Sequence, residues 1–200
     1  MIGFKEWSVV CDALGNGRQS LILRKGGIHE GRRGFQFDHP EFALFPTRFH
    51  EQETHIRQEE LATLRFEAKH EFEVGDQVEI CFLARLEATW TVTDWSAVVA
   101  LQDMHIWDEQ TIRDRYECAL KDGDPAAINV AFVRVSAITP AWEFPYARRY
   151  GGCRSWIELP TLPGSVQRAD VLDSQESSER LQCARELLGE PLSFGAPPLV

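Results

Sequence analysis

The sequence predicts an α+β fold: a largely antiparallel or mixed sheet with two to three packed helices and a C-terminal helix. Strand-length apolar runs and short capped helices follow one another in unequal blocks, and regular strand-helix alternation is missing. With 44% hydrophobic and 10% aromatic residues, the 200-residue chain can bury one substantial core. A partly closed β-barrel with flanking helices is the alternative architecture.

The N-terminal part is predicted to consist of strands. Two β-rich runs within residues 6–27 surround Gly15-Asn16-Gly17, and residues that tolerate positive φ at such a place predict a hairpin. The run "FALF", residues 42–45, predicts another strand, which ends at Pro46.

The middle of the chain combines helices with a long strand. Apolar residues at roughly helical spacing in the charged segment 51–64 predict an exposed helix with a narrow buried stripe. The β-favouring run in residues 74–94 predicts a central strand or hairpin. Asp94 and Asp108 are suitable N-caps for two short helices.

Two further strands and a helix are predicted towards the C-terminus. The run "INVAFVRVSAITP" is an apolar strand that ends at Pro140, and "CRSWIEL" is a second. Past a Pro- and Gly-containing linker, "SQESSERLQCARELLG" predicts a helix that stops at Gly189. We therefore predict a single α+β domain over residues 1–160, with a linker, C-terminal helix and tail over 161–200.

Charge and cysteine content limit the functional classes. A net charge of -10 and a pI near 5.1 argue against coating DNA or an anionic membrane through overall charge, so any nucleic-acid contact must be local. The five cysteines form no C-x-x-C pair and are odd in number, which favours a reducing cytoplasm. No apolar window has the length of a membrane span, so we expect no membrane partner.

Five segments occur in a characteristic order: "EWSVVCDAL", "LILRKGGIHE", "FALFPTRFHEQ", "DMHIWDEQTIRDRYE" and "RYGGCRSWIEL". Together they resemble a bacterial family known as domain of unknown function 1802, from about Phe4 to Leu159. Members are sometimes found with restriction-endonuclease-like domains, so the resemblance implies a role near DNA restriction with a restriction-system protein as partner. It implies no catalytic mechanism.

The segment "FHEQETH" contains the candidate catalytic residues His50 and Glu51. It differs from the zinc-peptidase pattern H-E-x-x-H because Thr54 takes the place of the second histidine. In a regular helix His50 and His55, five residues apart, would lie about 140° apart and would not face one ion. With His50 in a loop before the helix, Glu51 or Glu53 could supply an oxygen ligand. In the resembled family a glutamine commonly follows the histidine, which favours His50 over Glu51. No metal ligand set and no cofactor are predicted.

A metal-dependent nuclease is an alternative hypothesis. Asp38 upstream of Glu67-Ala68-Lys69 mimics the D…E-x-K arrangement, in which carboxylates hold Mg²⁺ and the lysine stabilises developing charge. Among 31 acidic residues such a triplet arises easily by chance. Magnesium is therefore expected only under this alternative.

Two basic glycine-rich segments, "RKGGIHEGRR" and "ARRYGGCR", are the stronger candidates. Glycine turns expose backbone N–H groups that bind anions, and arginine adds bidentate donors for phosphate. If the segments converge, they form a positive cleft for DNA or RNA; the alternative is pairing with surface carboxylates. The candidate phosphate-binding residues are Arg24, Lys25, Gly26, Gly27, Arg32, Arg33, Arg148, Arg149, Gly151, Gly152 and Arg154.

Trp107 and Tyr150 are candidate stacking platforms for bases beside such a cleft, with burial in the core as the alternative. The sequence thus leaves three hypotheses and does not decide whether the protein is an enzyme. The first is a phosphate-recognising, nucleic-acid-associated module, the second is a metal-dependent hydrolase or nuclease centred on His50, and the third is a non-catalytic protein-interaction subunit.

Overall fold

The structure, a computed structural model, describes residues 1–25, 35–48, 51–64, 71–118 and 125–192. Its strands are β1 (Ile2–Trp7), β2 (Leu21–Lys25), β3 (Glu41–Thr47), β4 (Gln77–Val92), β5 (Ile128–Pro145), β6 (Trp156–Glu158) and β7 (Gln167–Asp170). The helices in this described part are α1 (Ser8–Gly15), α2 (Gln58–Leu61), α3 (Trp95–Ala100), α4 (Glu109–Tyr116) and α5 (Ser174–Leu188).

The strands form one mixed sheet in the order β2-β5-β4-β3-β1-β6, and β7 pairs with a further stretch of β5. β1 and β3 run parallel, whereas the other pairs are antiparallel. Buried hydrophobic clusters lie on the two faces of the sheet. The predicted α+β class is confirmed.

The sheet is open, but its ends curl towards each other. Three strands lie between β2 and β1 in the ladder order, yet the Arg24 side chain of β2 donates from Nη2 to the backbone oxygen of Lys5 in β1. No backbone ladder joins these two strands in the described part of the chain. The alternative of a partly closed barrel is therefore wrong, because a side chain and not a strand pair spans the gap.

The predicted hairpin in residues 6–27 is wrong. After β1 the chain forms helix α1, whose Val9, Val10, Ala13 and Leu14 are buried at helical spacing. Gly17, at a φ of 77°, then allows the tight return into β2. Burial of one helical face outweighs the β propensity of the valines.

The predicted end of a strand at Pro140 is also wrong, because β5 continues to Pro145. The register of β5 against β4 shifts between Trp142 and Ala137, which face Ile80 and Phe82 respectively. Pro140 lies within this bulge, where β4 requires no N–H donor from it. The bulge also bends the two longest strands.

The segment 51–64 is not one helix. It forms a 3₁₀ turn over Gln52–His55, an isolated bridge from Ile56 to Trp107, and then the short α2. The bridge holds this segment next to the start of α4. The capping prediction is confirmed nearby: Asp94 accepts a hydrogen bond from Ser96 N, and Asp108 accepts one from Thr111 N.

Helix α5 packs onto the rest of the fold. Ala184 is fully buried, and Arg180 Nη1 donates to Gly17 O at 2.6 Å. Beyond the helix, Trp90 Nε1 donates to Gly189 O at 2.9 Å. Within the described ranges, no helix combines the length and apolar character needed to cross a bilayer.

Candidate functional site

A cleft opens where the ends of β1 and β2 approach each other. Its volume is about 680 Å³, within the usual range for ligand sites. β1, β2, the 3₁₀ turn, and α4 with the residues after it form its walls. The lining residues are Trp7, Leu23, Arg24, Lys25, His55, Thr111, Asp114, Arg115, Glu117 and Cys118.

Arg24 holds the two ends of the sheet together. Its Nη2 lies 3.4 Å from Glu6 Oε2 and also donates to Lys5 O. Its guanidinium carbon lies 4.5 Å from the centre of the Phe4 ring. Glu6 is only 1% exposed, and its other oxygen accepts from Trp7 N at 2.9 Å. Arg24 therefore neutralises a carboxylate that water does not reach.

Arg115 is the second cation in the cleft. Its guanidinium carbon lies 3.8 Å from the centre of the Trp107 ring, and Nη1 donates to Leu23 O at 3.0 Å. Desolvation lowers the Arg115 pKa to about 10; Glu6 opposes this fall and the charge of Arg24 adds to it. The group stays protonated at neutral pH. Glu6 contacts Arg24 directly and acts on Arg115 only through its charge, as Asp108 also does.

His55 lines the same cleft and is held by the start of α4. Its Nδ1 lies 2.9 Å from Thr111 Oγ1, and its ring meets Trp7 edge-on with centroids 5.3 Å apart. Asp108 N donates to His55 O at 3.0 Å, while the Asp108 carboxylate caps the helix. The 3₁₀ turn and α4 together fix the position of this imidazole.

Lys5 connects the cleft with the second basic segment. Its Nζ donates to Gly152 O at 2.6 Å, and its backbone N donates to Ser155 O at 2.8 Å. Burial lowers the Lys5 pKa, and the positive charges of Arg154 and Arg24 lower it further, against an opposing effect of Cys153. Lys5 therefore lies between residues from both predicted phosphate-binding segments.

The other predicted residues of the second segment are on the surface. Arg148 and Arg149 are exposed on a 3₁₀ turn, where Arg149 Nη2 donates to the Tyr150 hydroxyl at 2.9 Å. Arg154 is exposed and donates from Nη2 to Arg149 O at 3.1 Å. Gly151 precedes Gly152, which adopts a φ of 80°. In the first basic segment, Lys25 is exposed at the rim of the cleft.

Seven of the predicted residues lie outside the described residues, and their roles stay predictions: Gly26, Gly27, Arg32, Arg33, His50, Glu67 and Lys69. Glu51 is described: it is exposed, and its backbone oxygen accepts from both Thr54 N and Thr54 Oγ1. Asp38 is exposed. Within the described ranges, no group of three His, Cys, Asp or Glu side chains is arranged to hold a metal.

The stacking prediction is wrong for both aromatic residues. Trp107 and Tyr150 are each 1% exposed, so neither ring has a free face for a base. Trp107 lies beneath Arg115, and Tyr150 packs against Phe45 with ring centroids 5.8 Å apart. The half-buried ring of Trp7 lines the cleft in their place.

The sequence alone did not indicate Lys5, Glu6 or Arg115, and it indicated His55 only as a possible metal ligand beside His50. Each has ordinary neighbours in the chain, and its partners come from distant segments: Arg115 bonds to a residue 92 positions away and Lys5 to one 147 positions away. The local signal that could have found one of them is a charged residue, Glu6, at an inward position of an alternating strand.

A model of the family described as "Domain of unknown function (DUF1802)" matches residues 3–182. The chain belongs to the DUF1802 family. The match extends past Leu159, where the sequence resemblance ends, and into α5 of the DUF1802 domain. No curated protein matches the chain. The family description names no activity, and a restriction-system partner stays a prediction.

Three solved structures are similar to this DUF1802 domain at low identity. The crystal structure of ASCH from Zymomonas mobilis is 12% identical, with coverage of 90% of this chain and 93% of that chain and a TM-score of 0.40. A serine-to-alanine mutant of the same protein is 11% identical, with 90% and 94% coverage and a TM-score of 0.41. A tyrosine-to-phenylalanine mutant is 13% identical, with 90% and 96% coverage and a TM-score of 0.39.

Proposed function

We propose that this protein is a nucleic-acid-binding module whose cleft holds a phosphate group between Arg24 and Arg115. The observation that carries the proposal is the presence of two guanidinium groups in one recess: Arg24 and Arg115 both line the cleft, and Arg115 lies over the Trp107 ring. A phosphate that enters the cleft can accept hydrogen bonds from both groups in the planar geometry that guanidinium groups prefer.

The surroundings of the two arginines suit a nucleotide. Lys25 adds a third cation at the rim, and the Trp7 ring gives an apolar wall beside the phosphate position. Of the two described carboxylates that line the cleft, Glu117 lies 3.4 Å from Arg113, which offsets its charge, whereas Asp114 accepts from the neutral Gln110 at 2.8 Å and keeps its charge. An incoming anion therefore meets the uncompensated carboxylate of Asp114 at the cleft.

The remainder of the protein restricts where nucleic acid can bind. A chain with a net charge of -10 repels a polyanion over most of its surface, so attraction depends on a local group of cations. Binding of this kind weakens steeply with salt, because each phosphate contact releases counterions. The expected interaction is consequently local, weak and salt-dependent.

A fluorescence-anisotropy titration tests the proposal. Labelled single-stranded and duplex DNA and RNA are titrated at several salt concentrations, with and without magnesium, against wild type and Arg24→Gln. We expect Arg24→Gln to weaken binding about tenfold across sequences. We also expect it to reduce the slope of log affinity against log salt concentration, the salt slope, by about one. Arg168→Gln is the matched control, since Arg168 is exposed on β7, pairs with Glu41 and does not line the cleft.

Two results would overturn this function. One is the lack of binding to any of the four ligands at low salt. The other is an equal loss of affinity in Arg24→Gln and Arg168→Gln, which would show a general effect of charge. Circular dichroism and thermal melting of each variant separate loss of binding from loss of fold.

A further inference from the structure

We infer that the ligand is a single strand that runs from the cleft across β1 to the loop around Gly152, with a second phosphate on Lys5 and Arg154. This inference rests on the proposed function and specifies its ligand: an unpaired strand of several nucleotides, and neither a mononucleotide nor a duplex. The path follows cations from four different elements.

Backbone contacts and short sequence separations place these cations one after another. Arg115 Nη1 donates to the oxygen of Leu23, the residue before Arg24 in β2. Arg24 Nη2 binds the backbone oxygen of Lys5, and Lys5 Nζ reaches Gly152 O at 2.6 Å. Arg154 follows two residues later. Positive charge therefore continues from the cleft over the end of β1.

The second group of cations lacks a counter-ion in the described part of the chain. Among the described residues, no carboxylate lies within 4 Å of the Lys5 ammonium or the Arg154 guanidinium, and the positive charges of Arg154 and Arg24 act on Lys5. Arg154 is exposed and uses one guanidinium nitrogen for Arg149 O. A phosphate between Lys5 and Arg154 offsets the repulsion between these like charges.

The loop that carries Arg154 leaves room for a ligand. Gly152 has a φ of 80°, a conformation that glycine adopts without strain. No atom lies within 4 Å of the position where a Cβ would be. The loop thus turns its backbone towards open space beside Lys5, where a phosphate can approach.

The shape of the cleft favours an unpaired strand. Arg115 lies against the buried ring of Trp107, so a phosphate must enter the recess to reach it. A volume of about 680 Å³ accommodates a nucleotide but not a duplex, whose phosphates lie on a convex surface. Single-strand binders commonly combine such a cationic path with apolar ring contacts.

The test compares ligands of different length on the same variants. Thymidine 5′-monophosphate, an eight-nucleotide single strand and the corresponding duplex are titrated against wild type, Arg24→Gln and the double variant Lys5→Gln/Arg154→Gln. Arg168→Gln is the control, because Arg168 is exposed on β7 and paired with Glu41. An RNA octamer of the same sequence is titrated in parallel and shows whether the protein prefers a DNA or an RNA backbone.

We expect the double variant to bind the mononucleotide within twofold of wild type and the octamer about tenfold more weakly. Its salt slope for the octamer falls by about two, since two phosphate contacts are lost. Arg24→Gln weakens both ligands. The wild type binds the duplex at least tenfold more weakly than the single strand.

The failures of the two proposals are distinguishable. If Arg24→Gln weakens binding but the double variant binds the octamer like wild type, the strand path is wrong and the cleft function remains. Equal affinity for duplex and single strand also overturns the strand path. If neither ligand binds wild type, both proposals fall. If the double variant does not fold, the exposed Arg154→Gln replacement alone carries the comparison.

Discussion

The Arg24 guanidinium of β2 lies 3.4 Å from the Glu6 carboxylate of β1, across the gap between the two ends of the sheet. The contact replaces a missing strand pair with an ion pair and leaves a cleft beside it. The charge of the same carboxylate also acts on Arg115, together with that of Asp108. The architecture of the sheet and the chemistry of the cleft therefore depend on the same two residues.

Replacement of Glu6 tests this dependence. Glu6→Gln leaves Arg24 without its ion-pair partner and removes a negative charge that acts on Arg115, so we expect the free energy of unfolding to fall by about 3 kcal/mol. Inorganic phosphate should restore more stability to this variant than to wild type, because it supplies the lost negative charge. Urea unfolding with and without phosphate measures both effects.

Glu41→Gln is the control for this experiment. Glu41 is exposed and lies 2.7 Å from Arg168, and removal of an exposed pair should cost less than about 1 kcal/mol. A Glu6→Gln variant as stable as Glu41→Gln, with no added response to phosphate, would contradict the role assigned to Glu6.

Arg115→Lys tests whether the geometry of the guanidinium matters in addition to its charge. Lysine keeps the positive charge but cannot stack as a plane on Trp107 or offer a fork of donors. We expect about tenfold weaker binding of single-stranded nucleic acid by anisotropy. Arg113→Lys is a matched control on the same helix, since Arg113 stacks on Trp95 at 4.3 Å and lies outside the cleft lining. Equal affinities of the two variants would show that charge alone suffices.

His105 should make stability depend on pH. Burial lowers its pKa from 6.5 to about 3, and the charges of Arg57 and Arg115 contribute. Between these values the unfolded state binds the proton and the folded state does not, so stability falls as pH falls below about 6.5. From pH 7 to pH 5 this single group removes about 2 kcal/mol.

Chemical denaturation at both pH values measures this slope. In His105→Gln, the part of the pH dependence of stability that is due to this imidazole disappears. The control His39→Gln removes an imidazole that is only half-buried, so the pH dependence should remain. An unchanged pH dependence in His105→Gln would show that folding does not lower the pKa of this imidazole.

Ala184→Glu tests whether α5 is part of the folded core. Ala184 is fully buried, so a carboxylate there is desolvated without a partner, and we expect a loss of about 3 kcal/mol or more. Gln182→Glu places the same side chain at an exposed position of α5 and should change stability by less than about 0.5 kcal/mol. Similar melting temperatures would mean that α5 does not contribute to cooperative unfolding.

Local signals in the sequence predict the elements that depend on local chemistry. The caps Asp94 and Asp108 bond to backbone groups two and three residues away, so the residue types suffice. The apolar runs of β3, β4 and β5 form strands because each lies between two neighbouring strands of the sheet. The segment 8–15 has the same valine-rich composition, but tertiary burial selects a helix for it.

The candidate site is predictable from the sequence only in part. The combination of glycine and arginine in two segments is enough to indicate Arg24, Lys25 and Arg154. Glu6 and Arg115 can be recognised only in the fold, because curling of the sheet brings distant segments together. The stacking prediction for Trp107 and Tyr150 is wrong because an aromatic side chain beside an apolar strand is as suited to the core as to contact with a ligand.

The most direct test of the central claim is nuclear magnetic resonance of arginine side chains. The Nε–H signals of Arg24, Arg115 and Arg113 are followed while an eight-nucleotide single strand is added at low salt. We expect saturable shifts for Arg24 and Arg115 with the same dissociation constant, and no shift for Arg113. Binding of the strand with no shift at either cleft arginine would contradict it.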